Sequence, residues 1–259
     1  MATGFREIQL AVQERVAHII LSRPPMNILT MTMMREITQA VNQVGKLKEI
    51  CAIAFSAVKS SQAFSAGVAI EEYRPEKAYQ MLEALHGVFQ ALDVAAKPVI
   101  ALVAGAALGG GCELVAYADI VIATPTARFG QPEIKLGVFP PAACVMLPRI
   151  IGDKKARELI YTGEIINAET AASLGLVNRM VSEEELESRA EELFQTFRQS
   201  SAASLEATRR AFQETAALPF NEALKRSADI YLNQLMSYSD PVEGIEAFLA
   251  KRAPHWKHK

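Results

Sequence analysis

Three short apolar runs, 51–56, 98–103 and 119–123, constrain this chain most. Each has the length of a strand buried on both faces, without the polar alternation that marks a wet side. Between the first two runs, Pro75 opens a helical pattern reaching about Val94, with Met81, Leu85, Val88, Phe89 and Leu92 inward. Between the second and third, a glycine-rich turn at 105–111 continues as a helix over 112–117. Short strands alternating with helices predict an α/β domain with parallel pairing. Upstream, 7–12 and 15–21 read as a hairpin ended by Pro24-Pro25. A helix follows to Leu47, capped by Thr30 or Thr32, with Met33, Ile37, Val41 and Val44 on one stripe. Residues 59–67 read as a polar loop. From Pro140 onward the pattern is almost wholly helical, with helices expected over 183–198, 202–216, 220–236 and 241–250. Ser182 and Glu185 form a capping box for the first of these. A soft boundary at Gln199-Ser200-Ser201 separates a core domain, 1–198, from a helical region, 199–259. The sequence carries no visible internal repeat.

Composition excludes several classes of function. The 259 residues are 50% apolar, and 27 Lys+Arg against 29 Asp+Glu give a net charge of −2. A nucleic-acid binder carries a basic excess or stripe, so no nucleic-acid partner is expected. The longest uncharged stretch, 98–112, is shorter than a membrane helix and holds four glycines. The N-terminus has no apolar core of a signal peptide, so a cytoplasmic protein without a membrane partner is expected. Cys51, Cys112 and Cys144 all sit in apolar segments and read as buried, reduced thiols. His18, His86, His255 and His258 show no metal-ligand spacing, so no metal is expected.

Four local features carry chemistry. Ala63-Phe64-Ser65-Ala66-Gly67 is a small-residue turn whose amides are free to point at a ligand. In Ala107-Leu108-Gly109-Gly110-Gly111-Cys112-Glu113-Leu114, three glycines precede a helix whose N-terminus favours developing negative charge. Glu113 lies one turn into that helix among apolar neighbours. A buried carboxylate costs several kcal/mol unless it is protonated or partnered, which makes Glu113 a functional candidate. Phe129-Gly130-Gln131-Pro132-Glu133-Ile134 places a second carboxylate after a turn. Taken singly, a Gly-Gly-Gly run is most often a tight turn and Glu133 most often a loop charge.

Together, in this order and with Glu113 and Glu133 twenty residues apart, these motifs resemble the enoyl-CoA hydratase/isomerase (crotonase) family over the whole chain. Leu21-Ser22-Arg23-Pro24 with Asn27, and the helix over 243–252, add to the resemblance. It implies an α/β fold with a ββα superhelix core and a C-terminal helical oligomerisation region. It implies a lyase that adds water to a C=C conjugated to an acyl-CoA thioester, with Glu113 and Glu133 as catalytic acid and base. The amides of Ala66 and Gly110 would form an oxyanion hole, such donors being worth about 3–4 kcal/mol each. CoA, part of the substrate rather than a cofactor, would be held by backbone around Pro25 and Asn27 and by Ala66, Gly67, Val68 and Ile70. Phe248 and Lys251 would reach a neighbouring subunit's CoA in a homotrimer or a dimer of trimers.

Two departures bear on the substrate. Ala69 stands where the family has Asp, and Pro140-Pro141-Ala142-Ala143-Cys144 replaces a glycine-rich turn. Pro and Ala stiffen that turn and add bulk near the acyl pocket, which predicts an acyl group other than a plain straight chain. The segment from Phe64 to Pro75 looks similar to hydratases of cyclic dienoyl-CoA thioesters. Other readings of the same scaffold are an enoyl-CoA isomerase, an acyl-CoA hydrolase, or a non-catalytic CoA- or RNA-binding relative.

Overall fold

The computed structural model describes residues 4–258. The chain opens with the hairpin β1 (Ile8–Gln13) and β2 (Val16–Leu21), then α1 (Met31–Gly45), where the Thr30 hydroxyl accepts the Met33 N–H. Next come β3 (Ala52–Ala57), β4 (Ala63–Ser65), a 3-10 turn (Ile70–Tyr73) and α2 (Pro75–Ala95). The pattern returns as β5 (Val99–Val103), β6 (Ala106–Leu108) and α3 (Gly110–Tyr117). It returns again as β7 (Ile120–Ala123), β8 (Arg128–Gly130), a 3-10 turn (Pro132–Leu136) and α4 (Pro141–Ile151). Each turn of this strand–strand–helix superhelix places its first strand in one sheet and its second in another. The six-stranded sheet runs β1-β2-β3-β5-β7-β10 and the four-stranded sheet β4-β6-β8-β9.

The remaining elements are α5 (Asp153–Thr162), β9 (Ile165–Asn167), α6 (Ala168–Ser173), β10 (Arg179–Met180), α7 (Leu186–Arg198), α8 (Ala202–Thr215), α9 (Phe220–Asp229) and α10 (Asp240–Leu249). A π-turn (Ile230–Gln234) and a 3-10 turn (Leu235–Ser237) extend α9.

The three apolar runs form β3, β5 and β7, side by side and parallel, as the sequence predicts. The main core fills the space between this sheet, α1, α2 and the smaller sheet. A second cluster on the sheet's other face is closed by Ala190, Leu193 and Phe194 of α7 and Ala202 of α8.

Three expectations need correction. The polar loop at 59–67 ends in β4, the glycine-rich turn contains β6, and Glu133 follows β8 rather than a bare turn. These strands are three residues long, too short for a period of two to be read. The region after Pro140 is not all helix, since β9 and β10 join the sheets. Cys144 is exposed, because it points outward from the first turn of α4, while Cys51 and Cys112 are buried. The boundary at 199–201 is a tight turn: Ser201 caps α8, and Arg15 donates to Arg198 O and Ser200 O across it. Beyond it, α8 is tied back to the core. The buried Lys97 ammonium meets Glu206 at 2.9 Å, and Arg209 meets Asp119 at 2.8 Å.

Candidate active site

The small sheet delivers three loops to one edge. β4, β6 and β8 are neighbouring parallel strands, so their C-terminal ends lie together. In parallel α/β sheets that end is where ligands bind. β4 runs into the loop 66–69, β6 into α3 with Glu113, and β8 into the 3-10 turn with Glu133. The Gly109 N–H donates to Gly130 O at 2.9 Å and locks the two acidic loops side by side.

Both glutamates are enclosed, Glu113 at 2% exposure and Glu133 at 3%. Their surroundings differ. Glu113 Oε1 accepts the Ala143 N–H at 2.8 Å, from the first turn of α4. Glu133 Oε2 is buried without a hydrogen-bond partner among the described residues. Burial pushes Glu113 up to about 7, against the pull of the Ala143 and Ala142 amides. Burial also pushes Glu133 up to about 7; its own backbone amide opposes this and the charge of Glu113 adds to it. Two such groups near neutrality supply one acid and one base. The neighbouring Cys112 thiol is pushed up to about 12 by burial, so it stays protonated and is no nucleophile.

The glycines make room for this pair. A Cβ on Gly109, at φ +50°, would stand 2.5 Å from Glu133 Oε1. A Cβ on Gly110 would stand 3.0 Å from Val68 Cγ2 and 3.8 Å from Val68 N, so the 66–69 loop and the start of α3 touch.

That contact corrects the expected donor. The Ala66 N–H donates to Met26 O at 2.9 Å and is spent inside the protein. The Gly67 N–H donates to Ser65 Oγ at 3.2 Å. Val68 lies in a parallel bridge with Leu29, in which Leu29 N–H donates to Gly67 O and Ala69 N–H to Leu29 O. Peptide groups alternate sides along an extended chain. Gly67 O and Ala69 N–H therefore face Leu29, and the Val68 N–H faces away from it. It finds no acceptor among the described residues. The Gly110 N–H belongs to the first turn of α3, whose amides have no partner within the helix, and it too is unpaired among the described residues. Two amides from adjacent loops thus stand free beside the glutamates, at a helix N-terminus. The position to count from in the sequence was the Ser65 hydroxyl, which consumes the amide before Val68.

Asn27 also needs correction as a CoA contact. It is fully enclosed, with Nδ2 donating to Ala63 O and Phe64 O and Oδ1 accepting the Arg23 N–H. It offers no surface to a ligand and instead clamps the 23–27 turn to β4. Pro25 is exposed, its carbonyl accepting the Gln62 N–H. Ile70 is 65% exposed at the start of the 3-10 turn. Phe248 is 83% exposed at the end of α10, which packs on α8. Lys251, at φ +51°, is exposed just beyond, with no ion pair among the described residues. The structure does not bring Phe248 or Lys251 to their own chain's glutamates. The sequence reading did not foresee Val68 as a donor or the Ala143 amide that holds Glu113.

Comparison with known proteins agrees with this geometry. Residues 11–259 match the model of the family described as enoyl-CoA hydratase/isomerase. The cyclohexa-1,5-dienecarbonyl-CoA hydratase of Thauera aromatica is 33% identical over 240 residues, 92% of each chain. The crotonyl-CoA hydratase of Syntrophomonas wolfei is 34% identical over 263 residues, covering 99% of this chain and 100% of the relative. The crystal structure of an enoyl-CoA hydratase from Bacillus anthracis superposes with a TM-score of 0.92 at 27% identity, over 98% of this chain and 100% of that one. With a family model matched from residue 11 to the end and relatives alike over nearly their full lengths, the chain belongs to the enoyl-CoA hydratase/isomerase family.

Proposed function

We propose that this protein adds water across a C=C conjugated to an acyl-CoA thioester. The observation that carries the reading is the buried pair Glu113 and Glu133 beside the free amides of Val68 and Gly110. The thioester oxygen accepts both N–H groups. A water held between the carboxylates gives its proton to Glu113 as its oxygen bonds to the β-carbon. The π electrons move onto the thioester oxygen as an enolate, where preorganised donors act most strongly. Collapse of the enolate takes a proton from Glu133 at the α-carbon. The roles follow from the surroundings. Amides from α4 favour the ionised form of Glu113, whereas Glu133 keeps an unpartnered oxygen and so holds the proton. CoA enters as part of the substrate, along Pro25 and the 66–70 loop.

The acyl group we assign is a cyclic dienoyl thioester. Its support is the likeness to the Thauera aromatica enzyme together with the stiff Pro141-Ala142 start of α4. The C-terminal helices we assign to subunit assembly as a trimer or a dimer of trimers. Phe212, Phe220, Tyr231, Leu232 and Phe248 all lie exposed there, an apolar cost that a partner surface removes. Unpaired cysteines fit a cytoplasmic site of action.

The test is turnover of crotonyl-CoA and cyclohexa-1,5-diene-1-carbonyl-CoA in water labelled with heavy oxygen. Hydration puts the label on the acyl carbon skeleton, whereas isomerisation leaves it unlabelled and hydrolysis labels the carboxylate. Glu113→Gln and Glu133→Gln each lower kcat by about a thousandfold, with KM changed little. Unchanged kcat in either variant overturns the reading.

A further inference from the structure

The loop that carries the Val68 amide is laid along the start of α1. The Leu29 N–H donates to Gly67 O at 2.9 Å and the Ala69 N–H to Leu29 O at 3.2 Å, one bond on each side of Val68. Just beyond, a side chain makes the third bond. The N–H of Met31, the first residue of α1, has no acceptor within its own helix and donates to both carboxylate oxygens of Glu72, at 3.0 Å each. A carboxylate at a helix N-terminus is favoured by the helix dipole, and its hydrogen bond is charge-assisted. The α1 end of this bond is firm. Met33, Met34, Ile37 and Val41 are buried in the main core, and Glu36 accepts the Arg6 and Glu7 amides. The Glu72 end has less of its own to hold it. None of the residues of the 3-10 turn Ile70–Tyr73 is fully buried, although Tyr73 packs partly on the core. Across from the turn stands α3. A Cβ on Gly110 would stand 3.0 Å from Val68 Cγ2 and 3.2 Å from Leu29 Cδ1, so a slip of the 67–72 segment along α1 changes the gap between the two free amides.

We infer that Glu72 is a positioning residue for thioester activation: by holding the Met31 N–H it fixes the 3-10 turn against α1 and so sets where the Val68 amide points. This deepens the hydration reading above and rests on it. A donor acts on a developing oxyanion only from the right place, so the latch is felt in the transition state more than in substrate binding.

The test joins turnover of crotonyl-CoA with the infrared carbonyl band of bound butyryl-CoA, labelled with heavy carbon at the thioester carbonyl and without a double bond to hydrate. Amides aimed at the thioester oxygen lower that band in the wild-type protein. Glu72→Ala is expected to lower kcat about tenfold, to leave KM within about twofold, and to move the band back toward that of the free thioester. Glu72→Gln, whose amide oxygen accepts the same N–H, keeps both readings near wild type. Met31→Pro removes the bond from its other side. Proline suits the first position of a helix, and Thr30 before it is already extended. It is expected to give the same loss, and the double variant no more than either change alone. The exposed Glu71 of the same turn is the control for charge, and Glu71→Ala leaves both readings unchanged. A wild-type band in Glu72→Ala, a loss of kcat with the band unmoved, or additive losses in the double variant overturns the inference and leaves the hydratase reading standing. A wild-type protein that binds butyryl-CoA with an unshifted band and does not turn over crotonyl-CoA overturns both. The expected band shifts in a protein that adds no water to crotonyl-CoA support the role of Glu72 and remove the hydratase reading alone.

Discussion

At the scale of single residues, the site is defined by what its carboxylates lack. Glu133 keeps one oxygen buried and unpartnered, and that is tolerable because the group takes up a proton near neutrality. The rate should therefore follow a bell in pH. Below about 7 the base is lost as both carboxyls protonate, and above about 7 the acid is lost as both ionise. A kcat/KM profile still rising at pH 9 would be incompatible with the pair. Stability follows the same shift. A carboxyl raised from 4.5 to about 7 costs the fold nothing below 4.5; its burden builds up between 4.5 and about 7 and stays constant above that. Glu133→Gln, neutral throughout, is expected to raise the Tm by about 2–4 °C at pH 8 and to give no gain at pH 4.5. Differential scanning calorimetry of the two proteins at both pH values checks this. Glu113 was legible in the sequence because a charged residue stood in apolar surroundings, whereas Glu133 was legible only through the order and spacing of the motifs that carry the family resemblance. The donor was not: Ala66 and Val68 are both small apolar residues beside Gly67. Only the bonds of Met26, Ser65 and Leu29 decide which amide remains free.

At the scale of elements, three strands of three residues each do the positioning. The long strands β3, β5 and β7 and helices α1 and α2 were readable because periodicity and apolar runs extend over many residues. β4, β6 and β8 were not, because pairing with neighbours distant in sequence, not local pattern, makes them strands. The same applies to the repeat: its three units share backbone form and almost no residues. What remains visible is the glycine where side chains are forbidden. Gly109 and Gly137 both have positive φ, +50° and +78°. A Cβ at Gly137 meets nothing within 4 Å, whereas one at Gly109 strikes Glu133 Oε1. Alanine at either site carries backbone strain of about 1–3 kcal/mol. Both variants should thus lose Tm, but only Gly109→Ala should also lose kcat, by about a hundredfold, because it displaces a reacting group. Equal kcat in the two variants would mean that Gly109 serves the turn alone.

At the scale of the whole molecule, the question is how a chain with its own acid pair and amide pair uses its far end. Phe248 lies at the exposed end of α10 and Lys251 just beyond it, and Lys251 has no ion pair among the described residues. The tail behind them is tightly held. The buried Asp240 accepts the Lys257 and His258 amides, and the Trp256 indole donates to Gln199 O. So firm an anchor for an exposed ammonium fits a role toward a partner, and a CoA thioester bound to a second copy supplies the phosphates it would meet. Removing Lys251 should then weaken only the nucleotide end of the substrate. Lys251→Ala is expected to raise KM for crotonyl-CoA about fivefold to tenfold, with kcat unchanged, a loss of uniform binding. The thioester of N-acetylcysteamine has the same acyl group and no nucleotide, so its KM should not move. The two measurements separate the possible causes. A defect in assembly or in the glutamate pair lowers turnover of both thioesters, whereas a lost phosphate contact affects only the one that carries phosphate. If KM rises equally for both, Lys251 holds the subunit contact and not the substrate.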